Sequence, residues 1–254
     1  KKAKNVRSTL LKKFMKENPI QTKTDFDPLV ADYEQLHKSN IKRSGFEPSF
    51  FDEHKIKTLA ADFNKQHKCL NRSLQILNFG CGIGKSEKFI NAYFPNCEIT
   101  SVDVSEKSIT AAKERNKTFK NISFHVYDNI ETLNLEKKFD IIFVANVFHH
   151  IPNEWHIHIL SKLRTFLSAE GFMFVFEHNP RNPLTKQAFN TCEFDIGCKM
   201  IPSSLFVFMC QKAGFTAIQR NYVLFFPKFL SFLSPLEKYL KWCAFGAQYY
   251  IKAK

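Results

Sequence analysis

No run of roughly 18 to 20 uninterrupted apolar residues occurs in the chain, which excludes a spanning helix built from one continuous stretch. The basic start, Lys1 to Lys16, is not followed by a hydrophobic signal core, so the protein is expected to remain in the cytoplasm. Metal-binding spacings are also missing. Seven cysteines, at 69, 81, 97, 192, 198, 210 and 243, form no C-x-x-C pair, which argues against a zinc ribbon and against a disulfide framework. H-E-x-x-H is absent as well, and no metal is expected. There is no low-complexity tract and no internal repeat.

Glycine is scarce, eight residues in all, yet three of them fall at alternate positions: Gly80, Gly82 and Gly84. They follow the apolar run Leu74 to Phe79 and precede the helix-forming Lys85 to Ile90, as where a buried strand turns tightly into a helix. A Cβ there would block positive φ and keep a ligand off the main chain, whereas free N–H groups at the helix start would face it. A dinucleotide fingerprint would place its third glycine at Lys85. A phosphate loop ending at Gly84-Lys85-Ser86 would need glycine at Phe79. What remains is G-x-G-x-G at a strand end.

The rest of the chain alternates. Glu98 to Val102 reads as a strand, Ser105 to Arg115 as a helix, Ile122 to Val126 as a strand, and Phe139 to Asn146 as a central strand apolar on both faces for most of its length. Pro152 to Leu167 is helical and Phe172 to Glu177 is the next strand; His178 to Met200 is an irregular excursion, and Pro202-Ser203-Ser204 caps a helix to about Lys212. Thr216 to Phe226 is a strand, Leu230 to Trp242 an amphipathic insert, and Ala247 to Ile251 a last strand, antiparallel at the edge. Two helices precede the glycine turn, over Phe26 to His37 and Phe51 to His67, with a turn at Ser44 to Pro48. We read 1–25 as a basic leader and 26–254 as one domain: a helical cap over 26–70, a cofactor-binding core over 74–177, and a substrate loop, lid insert and last strands over 178–254.

In an open α/β sheet the ligand lies outside the carboxyl ends of the strands. Asp103, 19 residues after Gly84, closes the second strand with Val104, at the distance where a carboxylate accepts both ribose hydroxyls. The glycine turn with this acid resembles motif I and its successor in the class I S-adenosylmethionine-dependent methyltransferases. The resemblance implies a Rossmann-like, mostly parallel seven-stranded sheet with helices on both faces, an antiparallel edge strand and an N-terminal helical cap. It also implies S-adenosyl-L-methionine as cofactor, held by Gly80, Cys81, Gly82, Asp103, Val104, Asp128, Asn129 and Asn146, with the adenine amino group on the carboxylate after the third strand. Where the family has an acidic residue before the glycines this chain has Asn78, an amide that carries no charge for the methionine ammonium.

Four titratable residues follow the central strands where an acceptor should meet the methyl group: His149, His150, Glu177 and His178. A base is needed if the acceptor is a hydroxyl, and a histidine suits that role. Tyr33, Ser44-Gly45, Glu177-His178-Asn179-Pro180 and Gly246-Ala247-Gln248-Tyr249 resemble a small-molecule subgroup, of methyltransferase type 11 or 12, associated with polysaccharide or specialised metabolism. The expected substrate is a small molecule methylated on oxygen, such as a sugar, glycan or metabolite.

The net charge of +13 favours anionic partners, and a nucleic-acid (RNA) methyltransferase is the alternative. Against it, Asn146-Val147-Phe148-His149 lacks both the Asn-Pro-Pro-aromatic run used on exocyclic amines and the Pro-Cys nucleophile used on pyrimidines. A non-catalytic cofactor-binding scaffold is the third reading. The aromatic insert from Phe225 to Leu230 is read as lid or core packing, with a membrane-surface contact as its alternative.

Overall fold

The computed structural model describes residues 44–65 and 72–254. The basic leader 1–25, the helix expected over Phe26 to His37 with Tyr33, and Cys69 lie outside the described residues. Within them, seven strands form one sheet: β1 (Leu74–Phe79), β2 (Cys97–Asp103), β3 (Ile122–Val126), β4 (Phe139–Ala145), β5 (Leu167–His178), β6 (Gln219–Val223) and β7 (Gln248–Ala253). Their order is β3-β2-β1-β4-β5-β7-β6. Pairings among β1 to β5 are parallel, and β7 is antiparallel to both neighbours.

The helices are α1 (Pro48–Phe63), α2 (Glu87–Tyr93), α3 (Glu106–Arg115), α4 (His156–Phe166), α5 (Pro183–Asn190), α6 (Ser203–Lys212) and the short α7 (Glu237–Leu240). Alternate residues of the strands feed two apolar layers. Ile142, Val144, Met173 and Val175 pack with Leu160 of α4 and Phe206 of α6 on one face. Ile141, Phe143, Phe174 and Phe176 pack with Ile56 of α1 and Ile90 of α2 on the other. Each such side chain, fully buried, contributes about 1.5–3 kcal/mol, which is why β4 runs apolar from Ile141 to Ala145 after Asp140.

Register brings the functional edge together. Phe79 pairs with Val102 and with Val144, and Ala145 with Phe176, so Gly80, Asp103, Asn146 and Glu177 all emerge on one side of the sheet. The last strand departs from its expected place: β7 lies one position inside the edge, which β6 forms. That insertion sets Gln248 beside His178 at the same edge.

Three local readings are corrected. The excursion after β5 contains α5, whose N-cap Asn182 accepts from the Thr185 N–H (2.9 Å) ahead of Pro183 in the first turn. Helix α4 begins only at His156, because a 3-10 turn over Asn153–Trp155 intervenes after Pro152. His156 explains that detour: buried, its Nε2 lies 2.9 Å from the Phe148 carbonyl oxygen and 2.8 Å from that of Ile151. The strand expected over Thr216 to Phe226 is confined to Gln219–Val223 and ends at Leu224, whose φ of 63° leaves the extended region.

Candidate active site

The glycine turn is shaped from two sides. The N–H groups of Gly80 and Cys81 donate to the Val102 carbonyl (2.8 and 3.1 Å), while Asn116 Nδ2 of the α3 C-cap donates to the Gly84 carbonyl (2.8 Å). Gly84, at φ 69°, could not carry a Cβ, which would sit 2.8 Å from Ala112 Cβ. Gly82, at φ 52°, faces nothing within 4 Å. Its space is open because it borders a cavity of about 540 Å³, a size that suits a nucleoside-sized ligand together with a small acceptor.

Asp103 closes β2 against this turn. Its Oδ2 accepts from the Gly82 N–H (2.8 Å) and its Oδ1 from the Ser105 N–H (2.9 Å), so the carboxylate ties the turn to the start of α3. Behind the turn, Asn78 is buried and its Nδ2 donates to Glu87 Oε1 (2.9 Å), which also accepts from Ser101 Oγ (2.8 Å). A buried carboxyl thus stands one layer behind position 78, in the first turn of α2 and outside the cavity lining. Burial pushes the Glu87 carboxyl up, against the hydrogen bonds from Ser101 and Asn78, and its Oε2 has no hydrogen-bond partner.

That burial makes a stability prediction. A carboxyl whose folded pKa is raised favours the fold while protonated, and that contribution is lost as pH rises through the folded value. Glu87→Gln keeps an acceptor for Asn78 and Ser101 and removes the charge. The ligand-free variant should therefore melt higher than wild type at pH 7 to 8, with the gap closing toward pH 4. Scanning calorimetry across that range checks it; a gap that widens as pH falls would mean the charged form is the stabilised one.

Gly80, Cys81, Gly82, Asp103, Val104 and Asn146 line the cavity. Asn146 follows β4 with φ 56°, and its Oδ1 is buried with no hydrogen-bond partner. A strained backbone and an orphaned acceptor on a cavity wall suit a ligand donor. Tyr127 takes the wall position after β3, while Asp128 and Asn129 stand outside it. Asn129 turns back on its own chain, its Oδ1 accepting from the Glu131 N–H (3.0 Å).

The second half of the cavity is a histidine cluster. His149, in the 3-10 turn Phe148–His150, is buried with its Nδ1 2.7 Å from Glu177 Oε2, and Glu177 Oε1 accepts from the Phe148 N–H (2.8 Å). Its Nε2 lies 3.3 Å from Asp195 Oδ1 without hydrogen-bond geometry. His150 Nδ1 lies 3.2 Å from Cys198 Sγ, and the rings of His149 and His178 are 5.4 Å apart. His149, His150 and His178 line the cavity, and Glu177 sits behind them, fully buried.

The surroundings favour the cation on one ring of the three. Burial alone would lower His149, but the carboxylates of Glu177 and Asp195 outweigh it and carry the ring up to about 9. Burial, reinforced by the His149 charge, drops His150 to about 3 and His178 to about 4. Burial works to raise Glu177, but His149, with His178 and the Phe148 N–H, outweighs it and holds the carboxyl below the usual range.

Asp195 and Lys55 carry no signal in the sequence, and Gln248 enters there only within the Gly246 to Tyr249 resemblance, with no site role. Asp195 lies in a 3-10 turn within the excursion, and Gln248 opens β7 with a buried, orphaned Oε1. Lys55 reaches the cavity from α1, 4% exposed, and burial lowers its pKa. No short-range pattern marks any of them.

The donor atoms of His149, His150 and Asp195 lie within 4.8 Å of one another, close enough to share a cation. The short contact of Glu177 on Nδ1 and the carboxylate facing Nε2 also describe a carboxylate-clamped imidazolium. We expect chelation by EDTA or 1,10-phenanthroline to leave turnover unchanged. Lost turnover that zinc or manganese restores would assign a metal role to these residues.

Residues 77–173 match the family model described as a methyltransferase domain. Malonyl-[acyl-carrier protein] O-methyltransferase of Bacillus cereus is 36% identical over 101 residues, covering 40% of this chain and 36% of that protein. (S)-coclaurine N-methyltransferase of Papaver somniferum is 29% identical over 148 residues, covering 56% of this chain and 40% of that protein. The chain thus spans well under half the length of these curated relatives. Among solved structures, a Thermotoga maritima methyltransferase superposes with TM-score 0.61 at 16% identity, over 91% of this chain and 97% of that one. The plantazolicin methyltransferase, solved with S-adenosylhomocysteine, gives 0.55 at 17%, over 91% and 95%.

Proposed function

We propose that this chain, whose core belongs to the class I S-adenosylmethionine-dependent methyltransferases, methylates an oxygen of a small-molecule acceptor with His149 as general base. The observation that carries the proposal is His149, buried on the wall of the cavity that the glycine turn also lines, with Glu177 fixing Nδ1 and Nε2 facing Asp195 Oδ1 at 3.3 Å outside hydrogen-bond geometry. A base works from the neutral ring, one nitrogen oriented by a carboxylate and the other turned toward the acceptor, so the reaction draws on the fraction of His149 that has lost its proton.

The cavity fits the cofactor on its own features: the open face of Gly82, the orphaned Asn146 Oδ1 and the ordered carboxylate of Asp103. Gly80, Gly82, Asp103, Val104 and Asn146 would hold it. S-adenosylmethionine supplies an electrophilic methyl on a sulfonium. The protein's own task is to align the acceptor, exclude water and take up the hydroxyl proton at His149 Nε2. Glu177, with a second oxygen on the Phe148 N–H, keeps the ring from rotating.

An acid or hydroxyl acceptor accords with the malonyl-carrier relative, an amine with the coclaurine relative; a dedicated base favours oxygen. Titration calorimetry with S-adenosylhomocysteine tests the cofactor half, and binding of NAD or ATP in its place would reject it. Methyl transfer to hydroxyl acceptors tests the other half. Product that carries the methyl on nitrogen, formed equally well by His149→Ala, would reject the base.

A further inference from the structure

The insert between β6 and β7 is unusual for what it exposes. Phe229, Phe232 and Trp242 are 76%, 72% and 79% exposed, and Leu236, Tyr239 and Phe245 are also exposed. Water-facing apolar area on this scale within one short segment marks a binding surface. The segment is basic, with Lys228 and Lys238 exposed on it. Lys238 Nζ stands 4.8 Å from the Tyr239 ring centroid, and the acid of the segment, Glu237, is turned inward to accept from the Phe225 N–H (2.9 Å).

The same segment borders the cavity. Phe225, Phe226 and Pro227, which lead into it, line the cavity, and Asn182 Nδ2 donates to the Phe245 carbonyl (2.7 Å) at its far end. Leu184, exposed and on the cavity wall, stands two residues from Asn182. Aromatic side chains interleaved with lysines match the interface of an anionic bilayer, where rings sit at headgroup depth and ammonium groups meet lipid phosphates. No helix among the described residues is long and apolar enough to cross a membrane, so the contact is peripheral.

We infer that Phe229, Phe232, Tyr239, Trp242 and Phe245 seat this protein on an anionic membrane surface, with the cavity beside the lipid. The net charge of +13 adds long-range attraction to such a surface. The inference stands on exposure and charge, independently of the methyl-transfer reading.

The test uses the full chain and vesicles of phosphatidylcholine, alone or with about a third phosphatidylglycerol. The two tryptophans differ in setting, Trp155 being buried and Trp242 exposed, so a change in emission reports chiefly on Trp242. Expected are cosedimentation with the anionic vesicles, a blue shift of emission, and weakening by salt. A Phe229→Ser, Phe232→Ser double variant should lose about tenfold or more in vesicle affinity while keeping its melting temperature and its affinity for S-adenosylhomocysteine. Emission and sedimentation unchanged by anionic vesicles would overturn the inference. So would a wild-type dimer that the double variant disperses while neither form binds vesicles, since the patch would then join two copies of this chain.

Discussion

His149→Ala is expected to lower turnover by roughly a hundredfold to ten-thousandfold while leaving the affinity for S-adenosylhomocysteine nearly unchanged. The separation follows from the proposed roles, in which the ring acts on the acceptor and the glycine turn holds the cofactor. Removing the ring also leaves Glu177 buried without its 2.7 Å partner, so His149→Gln, which offers an amide to that carboxylate, is the companion variant. Both should be equally slow. The pH profile gives an independent readout. With His149 carried up to about 9, the base form grows as pH rises through that value, so turnover in wild type should climb toward pH 9. Asp195→Asn removes one of the two carboxylates responsible and should move the rising limb to lower pH. A profile that Asp195→Asn leaves in place, with turnover in His149→Gln close to wild type, would leave alignment and desolvation as the catalytic means.

Features encoded by consecutive residues were legible in the sequence; features made by convergence were not. Gly80, Gly82 and Gly84 announce a turn because each backbone position takes positive φ, and the structure shows φ of 72°, 52° and 69° there. β4 announces a central strand because both faces are buried. Asp195 carries no such mark: it reaches His149 only because α5 reverses the chain after β5, from a helix start at Asn182-Pro183 set within an irregular, proline-containing stretch. Gln248 reaches the cavity because β7 inserts between β5 and β6, an order that local periodicity does not encode.

Contacts between elements are equally invisible to a motif. Asn78 departs from the acidic residue of the resembled family, yet the carboxylate stands 2.9 Å from its amide, delivered by Glu87 from the next helix. Nothing in the spacing of Asn78 and Glu87 says that the two share a hydrogen bond. A strand residue and a residue in the first turn of the following helix meet only because the glycine turn between them is tight.

In the proposed reading Asp103 anchors the cofactor end of the cavity, and its removal should show in binding rather than in turnover alone. Asp103→Ala takes the acceptor from two backbone N–H groups, those of Gly82 and Ser105, at 2.8 and 2.9 Å. It also removes the carboxylate expected to face the ribose hydroxyls. A lost charged hydrogen-bond partner at a desolvated site costs on the order of 1.5–3 kcal/mol, so affinity for S-adenosylhomocysteine should fall about ten- to 150-fold. Asp103→Asn separates the two roles. Its amide oxygen can still accept from one backbone N–H, but the charge is gone and the second oxygen becomes a donor. If the ribose contact dominates, the Asn variant should bind nearly as poorly as the Ala variant while melting close to wild type. If ordering of the turn dominates, affinity and melting temperature should fall together in Ala and both should recover in part in Asn. An Asp103→Ala protein that melts and binds S-adenosylhomocysteine like wild type would remove Asp103 from the cofactor site.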